Sequence, residues 1–283
     1  MNLWFLGDVH GNFDHIAQAL EGARVKPAAV IFLGDLEAPI PFVECCADID
    51  KRGVEWFWIR GNHDTDTAEN WTNVSDPVSM ARNLDGKIIT VAGCRVAGLG
   101  GVFRGEVWHP DLHGGLPTHA TYAEYEKHIR TNANLKRRLT RKDVAQMQAV
   151  APEQKHWSGA LLDASRQGKL LKHRSTIFPA DYERLADQKA DVLVTHEAPS
   201  CHPHGFKEID LLAQVMGATV IHGHHHDALD YSRKFDALGF RAYGVGFCGI
   251  TSFDPDTGCA ENVVAGDFDQ ARRYRQSHGM EAE

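Results

Sequence analysis

Short apolar runs alternate with stretches of helical spacing at the start of the chain and again beyond residue 190. Residues 2–7, 28–33 and 54–59 are apolar and rich in Trp, Phe, Ile and Val, the pattern of strands buried on both faces. Between the first two, Ile16, Ala17, Leu20 and Ala23 recur at helical intervals over residues 12–24, and a second helix is predicted over about 41–51. Strands alternating with helices of this length mean βαβ units and a parallel sheet. Right-handed crossovers then bring all three strand ends to one edge. Residues 87–90 and 95–98 predict a strand pair that runs into Gly98-Leu99-Gly100-Gly101. Strand-like runs return at 191–195 and 218–222 with a helix over 208–216 between them, and 228–231, 240–245 and 248–253 predict closing antiparallel strands. Residues 102–182 are different: polar, poor in strand patterns and rich in helix formers. They predict three helices, at about 121–133, 139–149 and 152–167. The expected organisation is therefore one α/β unit over 1–283 with a helical insertion, a lid or cap, over 102–185. The tail from about 270 is polar and predicted to fray.

Composition narrows the class. The chain has 283 residues, 43% hydrophobic and 24% charged, which excludes disorder, collagen and coiled coil as descriptions of the whole. No apolar run approaches the length of a membrane span, and the apolar start ends at Asp8, too short for a signal-peptide core. Six cysteines without a CxxC pair read as reduced thiols, so a cytoplasmic protein with no membrane partner is expected. The net charge of −8 argues against a whole-surface grip on nucleic acid. A local basic run remains in the insertion: Lys127, Arg130, Lys136, Arg137, Arg138, Arg141 and Lys142. It reads as a solvated helical face, or as a lid that attracts a polyanion. Trp108, Trp157 and nearby tyrosines read as the insertion's own small core.

The chain's 17 histidines carry the chemical signal. In open α/β sheets a ligand site lies beyond the carboxyl ends of the strands. The predicted strand ends deliver Gly7-Asp8-Val9-His10-Gly11, Gly34-Asp35, Arg60-Gly61-Asn62-His63-Asp64, His196 and Gly223-His224-His225-His226. Asp8, Asp35 and Asn62 are spaced by 27 residues each, one βαβ period, so their side chains should lie side by side. Asp8 and His10, and likewise His224 and His226, are two apart and share a face in extended chain, with His225 pointing away. Carboxylate, imidazole and amide donors without thiolate suit Mn, Fe or Zn rather than a cysteine-bound structural zinc. Seven ligands exceed what one first-row ion takes and suit two ions sharing a carboxylate.

In this order the five blocks resemble the signature of the calcineurin-like metallophosphoesterases, over about residues 1–101 and 190–253. The resemblance implies a four-layer α/β/β/α sandwich with two divalent cations, Mn, Fe or Zn, at the strand ends. It implies Asp8, His10, Asp35 and His226 as ligands of one ion and Asp35, Asn62, His196 and His224 as ligands of the other, with Asp35 bridging. The implied activity is hydrolysis of phosphomonoesters or phosphodiesters by in-line attack of a metal-bridging hydroxide, with His63 as general acid. Asp64 is expected either to orient His63 or to cap the segment beginning near Thr65.

One departure from the family pattern matters. The protein phosphatases and related tetraphosphatases follow their Gly-Asp block with Arg-Gly, and the protein phosphatases place an Asp three residues after the bridging one. Here the run is Gly34-Asp35-Leu36-Glu37-Ala38-Pro39, which lacks both, leaving Glu37 as a substitute partner or a solvated loop residue. Arg60 and Arg104, each beside a glycine turn, are the candidate phosphate-binding residues. His109, His113, His202 and His204 are candidates for the rim of the cleft. The expected substrate is a phosphorylated small molecule, a nucleotide or a phosphopeptide. Alternatives are a non-catalytic binding or assembly protein on the same scaffold, or a nuclease using the basic insertion.

Overall fold

The structure is a computed structural model that describes residues 2–132 and 158–266. In chain order the strands are β1 (Leu3–Leu6), β2 (Ala29–Phe32), β3 (Glu55–Trp58), β4 (Lys87–Val91), β5 (Cys94–Leu99), β6 (Val192–Thr195), β7 (Thr219–His222), β8 (Leu229–Asp230), β9 (Ala242–Gly244), β10 (Ile250–Asp254) and β11 (Cys259–Val264). The helices are α1 (Asp14–Gly22), α2 (Phe42–Cys45), α3 (Ala47–Lys51), α4 (Ala68–Val74), α5 (Pro77–Ala81), α6 (Tyr122–Thr131), α7 (Ser158–Lys172), α8 (Pro179–Ala186), α9 (Lys207–Met216) and α10 (Phe235–Leu238).

Two sheets form, one in the order β11-β10-β1-β2-β3 and one in the order β4-β5-β6-β7-β9-β8. The alternation of side chains along each strand explains how they stack. Leu3 and Phe5 of β1 and Ala29 and Ile31 of β2 meet Val96, Val192, Val194 and Ile221 of the other sheet in one buried layer. Trp4, Leu6, Val30, Phe32, Trp56 and Trp58 face the opposite way, onto Ile16 and Leu20 of α1, Phe42 of α2 and Ile49 of α3. On the far side, Leu193 and Val220 pack on Leu185 of α8 and on Ile209, Leu212 and Met216 of α9. The result is the four-layer α/β/β/α sandwich. Trp56 and Trp58 pack edge-on to Phe42 at 5.1 and 5.8 Å. Both indoles keep a partner while buried, Trp56 donating to Asp50 and Trp58 to the Ser79 carbonyl.

The predicted helix over 41–51 is two short helices, because Cys46 turns inward to a buried position with φ −86° and ψ 0°, outside helix geometry. Three further elements carry no readable period. Among the described residues β11 pairs only with β10 and is mostly exposed, so it lacks apolar alternation. α4 and α5 are set by their caps: Thr67 accepts from Asn70, and Asp76 accepts from Val78 and Ser79 ahead of Pro77. In the insertion, α6 matches the first predicted helix, and α7 ends later than the helix predicted over 152–167. The helix predicted over 139–149, Lys136, Arg137, Arg138, Arg141, Lys142, Trp157 and the tail from 270 lie outside the described residues. Val107, Tyr125, Ile129, Leu170 and Phe178 form a small core of their own. Trp108 packs at its edge, against Phe103 and Tyr182. No helix among the described residues is long and apolar enough to cross a membrane.

The register positions the site. Leu6, Phe32 and Trp58 are level across one sheet, and Leu99, Thr195 and His222 across the other. The residues just past these strand ends therefore emerge together along one edge of the sandwich.

Candidate metal centre

The turns after the strands are tight. His10, Asp35, His224 and His226 all have positive φ, at 41°, 49°, 72° and 63°. Such backbone costs a non-glycine residue of order 1–3 kcal/mol and gathers at functional sites. It also corrects the expectation that Asp8 and His10, and His224 and His226, share a face of extended chain: left-handed turns aim them instead. Glycines make the crowding possible. A Cβ on Gly61 would lie 2.2 Å from the Asp35 carboxylate, and one on Gly223 would lie 2.4 Å from that of Asp8.

Two groups of donors result. Asp8, His10 and His226 form one and Asp35, His196 and His224 the other, with the ligand atoms in each group within 4.8 Å of one another. In the first, His226 Nε2 is 3.1 Å from Asp8 Oδ2 and 3.3 Å from His10 Nε2. Asp8 Oδ2 is buried and has no hydrogen-bond geometry to any partner among the described residues. An orphaned buried carboxylate oxygen with two imidazole nitrogens crowded beside it fits a cation among them. In the second, His196 Nε2 is 3.4 Å from Asp35 Oδ2 and 3.1 Å from Asn62 Oδ1. His10 Nε2, 4.0 Å from Asp35 Oδ2, links the two groups at the carboxylate expected to bridge.

The outer nitrogens are held, which leaves the inner ones as donors. His196 Nδ1 donates to the Leu33 carbonyl at 2.8 Å, and His10 Nδ1 is 2.5 Å from Glu37 Oε2. Such partners fix the ring and the tautomer of a metal-binding histidine. Burial opposes protonation of His196, yet the charge of Asp35 pushes its pKa up to about 10. Burial pushes His224 down to about 3. Burial also opposes ionisation of Asp8 and Asp35, but the neighbouring histidines hold both carboxyls below their usual range. Cations entering the site would take the place of protons held by these imidazoles.

His63 stands at the edge of the same cluster. Its N–H donates to Asp35 Oδ1 at 2.8 Å, and its ring lies 5.3 Å from that of His10. Its Nδ1 is 2.6 Å from Asp66 Oδ2. Burial works against its protonation, but Asp66 and Asp35 raise its pKa to about 9. Asp66, which the sequence reading missed, is therefore its partner, in place of Asp64 or Glu37. The spacing of three residues on the short turn His63–Thr65 was the available signal.

Asp64 departs from both of its expected roles. Its carboxylate is fully buried and accepts from the amides of Leu36 at 2.7 Å, Gly61 at 2.8 Å and Glu37 at 3.3 Å. Among the described residues its carboxylate makes no hydrogen bond to the His63 ring and caps no helix; it ties the second strand's loop to the third's. Asp64→Ala should lower stability by about 3 kcal/mol or more, because it strands buried N–H groups. Urea unfolding with the cations removed reads this directly, and unchanged stability would return Asp64 to a catalytic role.

Arg60 is also a correction. Its Nε and one terminal nitrogen are engaged by Asp85 and the Arg174 carbonyl, which gives it the contacts of a structural strut. Arg104 differs. One nitrogen donates to the Lys172 carbonyl at 3.0 Å, and Asp66, Glu197 and Asp35 are the charges that act on it. It stands beside the cluster. Of the rim candidates, His202 and His204 lie against His225, while His109 packs on Phe206. The side chain of His113 lies outside the description. Glu197 is a second missed residue: a buried carboxylate next to His196, which burial pushes up to about 7.

The chain is similar to several known proteins. An uncharacterized protein of Haemophilus influenzae is 34% identical over 247 residues, covering 86% of this chain and 90% of that one. A hypothetical protein of Pyrococcus horikoshii OT3 superposes with a TM-score of 0.40 at 11% identity, over 99% of this chain and 94% of that one. The phosphopantetheinyl hydrolase of Mycobacterium tuberculosis superposes with a TM-score of 0.40 at 16% identity, over 87% and 89%. The sequence model described as Calcineurin-like phosphoesterase matches residues 1–228, and the chain belongs to that family.

Proposed function

We propose that the protein hydrolyses phosphomonoesters or phosphodiesters with two divalent cations of the Mn, Fe or Zn type. The observation that carries this reading is the pair of adjoining donor groups, Asp8–His10–His226 and Asp35–His196–His224, linked through Asp35. Asn62, with Oδ1 3.1 Å from His196 Nε2, completes the second group. When bound, the cations supply Lewis acidity toward phosphoryl oxygens and lower the pKa of water.

The chain's own residues do the rest. Glu37 and the Leu33 carbonyl orient His10 and His196. His63 holds a proton on the nitrogen that Asp66 does not engage and delivers it to the leaving oxygen. Arg104 offers its remaining N–H groups to the substrate's phosphoryl oxygens. The substrate is a phosphorylated small molecule, a nucleotide or a phosphopeptide.

Hydrolysis of p-nitrophenyl phosphate and bis-p-nitrophenyl phosphate tests the reading. Chelation should abolish the activity, and re-addition of Mn2+, Fe2+ or Zn2+ should restore it. Full activity in protein shown by elemental analysis to be metal-free would contradict it. So would absence of turnover with every cation, the behaviour of a binding protein on this scaffold.

A further inference from the structure

Beyond the two groups, a third set of donors stands on the outer side of His224. Glu197, His224 and His225 offer ligand atoms within 4.8 Å of one another. Glu197 is buried directly after β6, where its Oε1 accepts from the Phe103 amide at 3.0 Å. Its Oε2 has no hydrogen-bond partner among the described residues and lies 4.0 Å from His224 Nε2. His225 continues the turn. Its ring is 4.8 Å from that of His224 and stacks on His202 at 3.8 Å, which fixes it. His225 Nε2 is buried and has no partner among the described residues.

A buried carboxylate beside a buried imidazole nitrogen that has no partner is costly unless a cation meets the two. Arg104 does not supply that charge directly: no ion pair joins it to Glu197 among the described residues, and one of its nitrogens is spent on the Lys172 carbonyl. Nor does Glu197 extend the neighbouring group. Donors on one first-row ion lie about 2.0–2.2 Å from it, so no two can be more than about 4.4 Å apart. Glu197 falls together with His224 and His225, whereas Asp35 and His196 fall together with His224 in a separate group.

We propose that Glu197 and His225 are the protein ligands of a third divalent-cation site, with His224 as the wall it shares with the dinuclear pair. Two protein donors completed by water make this the exchangeable position of the three. Carboxylate with imidazole suits Mn2+ or Zn2+. The site rests on the dinuclear reading only through that shared wall.

Equilibrium dialysis of the chelator-stripped full chain against Mn2+, with elemental analysis, tests it. Mn2+ is the weakest binder of the divalent first-row series, so it leaves scattered surface histidines empty. Wild type should take up three ions per chain, the last about tenfold or more weaker than the others. Glu197→Gln and His225→Gln should each take up two, and those two retained ions report that the variants are folded. Two ions in wild type would overturn the third site and leave the pair standing. Three ions in both variants would also overturn it. Fewer than two in wild type would overturn the dinuclear reading and the third site with it.

Discussion

His63→Ala lowers the rate of hydrolysis of alkyl phosphate esters by about 10²–10⁴-fold, the usual worth of a positioned general acid. An alkoxide leaves poorly without a proton, and p-nitrophenolate leaves well without one. Bis-p-nitrophenyl phosphate and p-nitrophenyl phosphate should therefore lose far less. The geometry explains why the proton is available. Asp66 engages Nδ1 at 2.6 Å and raises the pKa above the ordinary imidazole value, which favours the protonated ring. The sign follows: the part of the rate that needs this proton is present below the pKa and is lost as pH rises through it. That alkaline fall should vanish in the variant. The ring lies outside both donor groups, so metal content should stay at the wild-type value. Equal losses for good and poor leaving groups would remove His63 from the acid role.

Asp35→Asn has the second large effect, and it acts through the cations. Asp35 is buried, faces His196 at 3.4 Å and His10 at 4.0 Å, and accepts from the His63 amide. Its carboxylate lies where the two donor sets adjoin. Removing its charge should cost at least about 10³-fold in kcat/KM. It should also abolish most of the thermal stabilisation that added Mn2+ confers, since a ligand stabilises only the state it binds. The metal-free variant should be less stable than metal-free wild type, because the histidines that hold the Asp35 carboxyl below its usual range lose that charge. A variant with wild-type metal content would refute the bridge.

Much of the fold and of the site could be read from the chain. The apolar runs at β1 and β2 are buried on both faces, so they stand out without alternation, and β3 buries Trp56 and Trp58 with Phe57 half-buried. Their glycine-flanked ends place Asp8, Asp35 and Asn62 one βαβ period apart, and the parallel register makes that spacing a spatial one. What could not be read depends on which way a side chain turns. Asp64 and Asp66 are two residues apart on one short turn. The first points inward to three amides and the second outward to His63, and no pattern in the letters separates them. Arg60 reads as a phosphate ligand until Asp85, 25 residues on, is found against it. Glu37 reads as a loop residue until its left-handed φ of 41° swings it onto His10. Glu197 is hidden because a single Glu after a single His carries no period at all.

Anomalous diffraction from crystals soaked in dilute Mn2+ tests the centre most directly. The two strongest peaks should lie about 3.5–4 Å apart, one among Asp8, His10 and His226 and the other among Asp35, Asn62, His196 and His224. A single peak, or strong peaks away from these side chains, would contradict the two-cation centre.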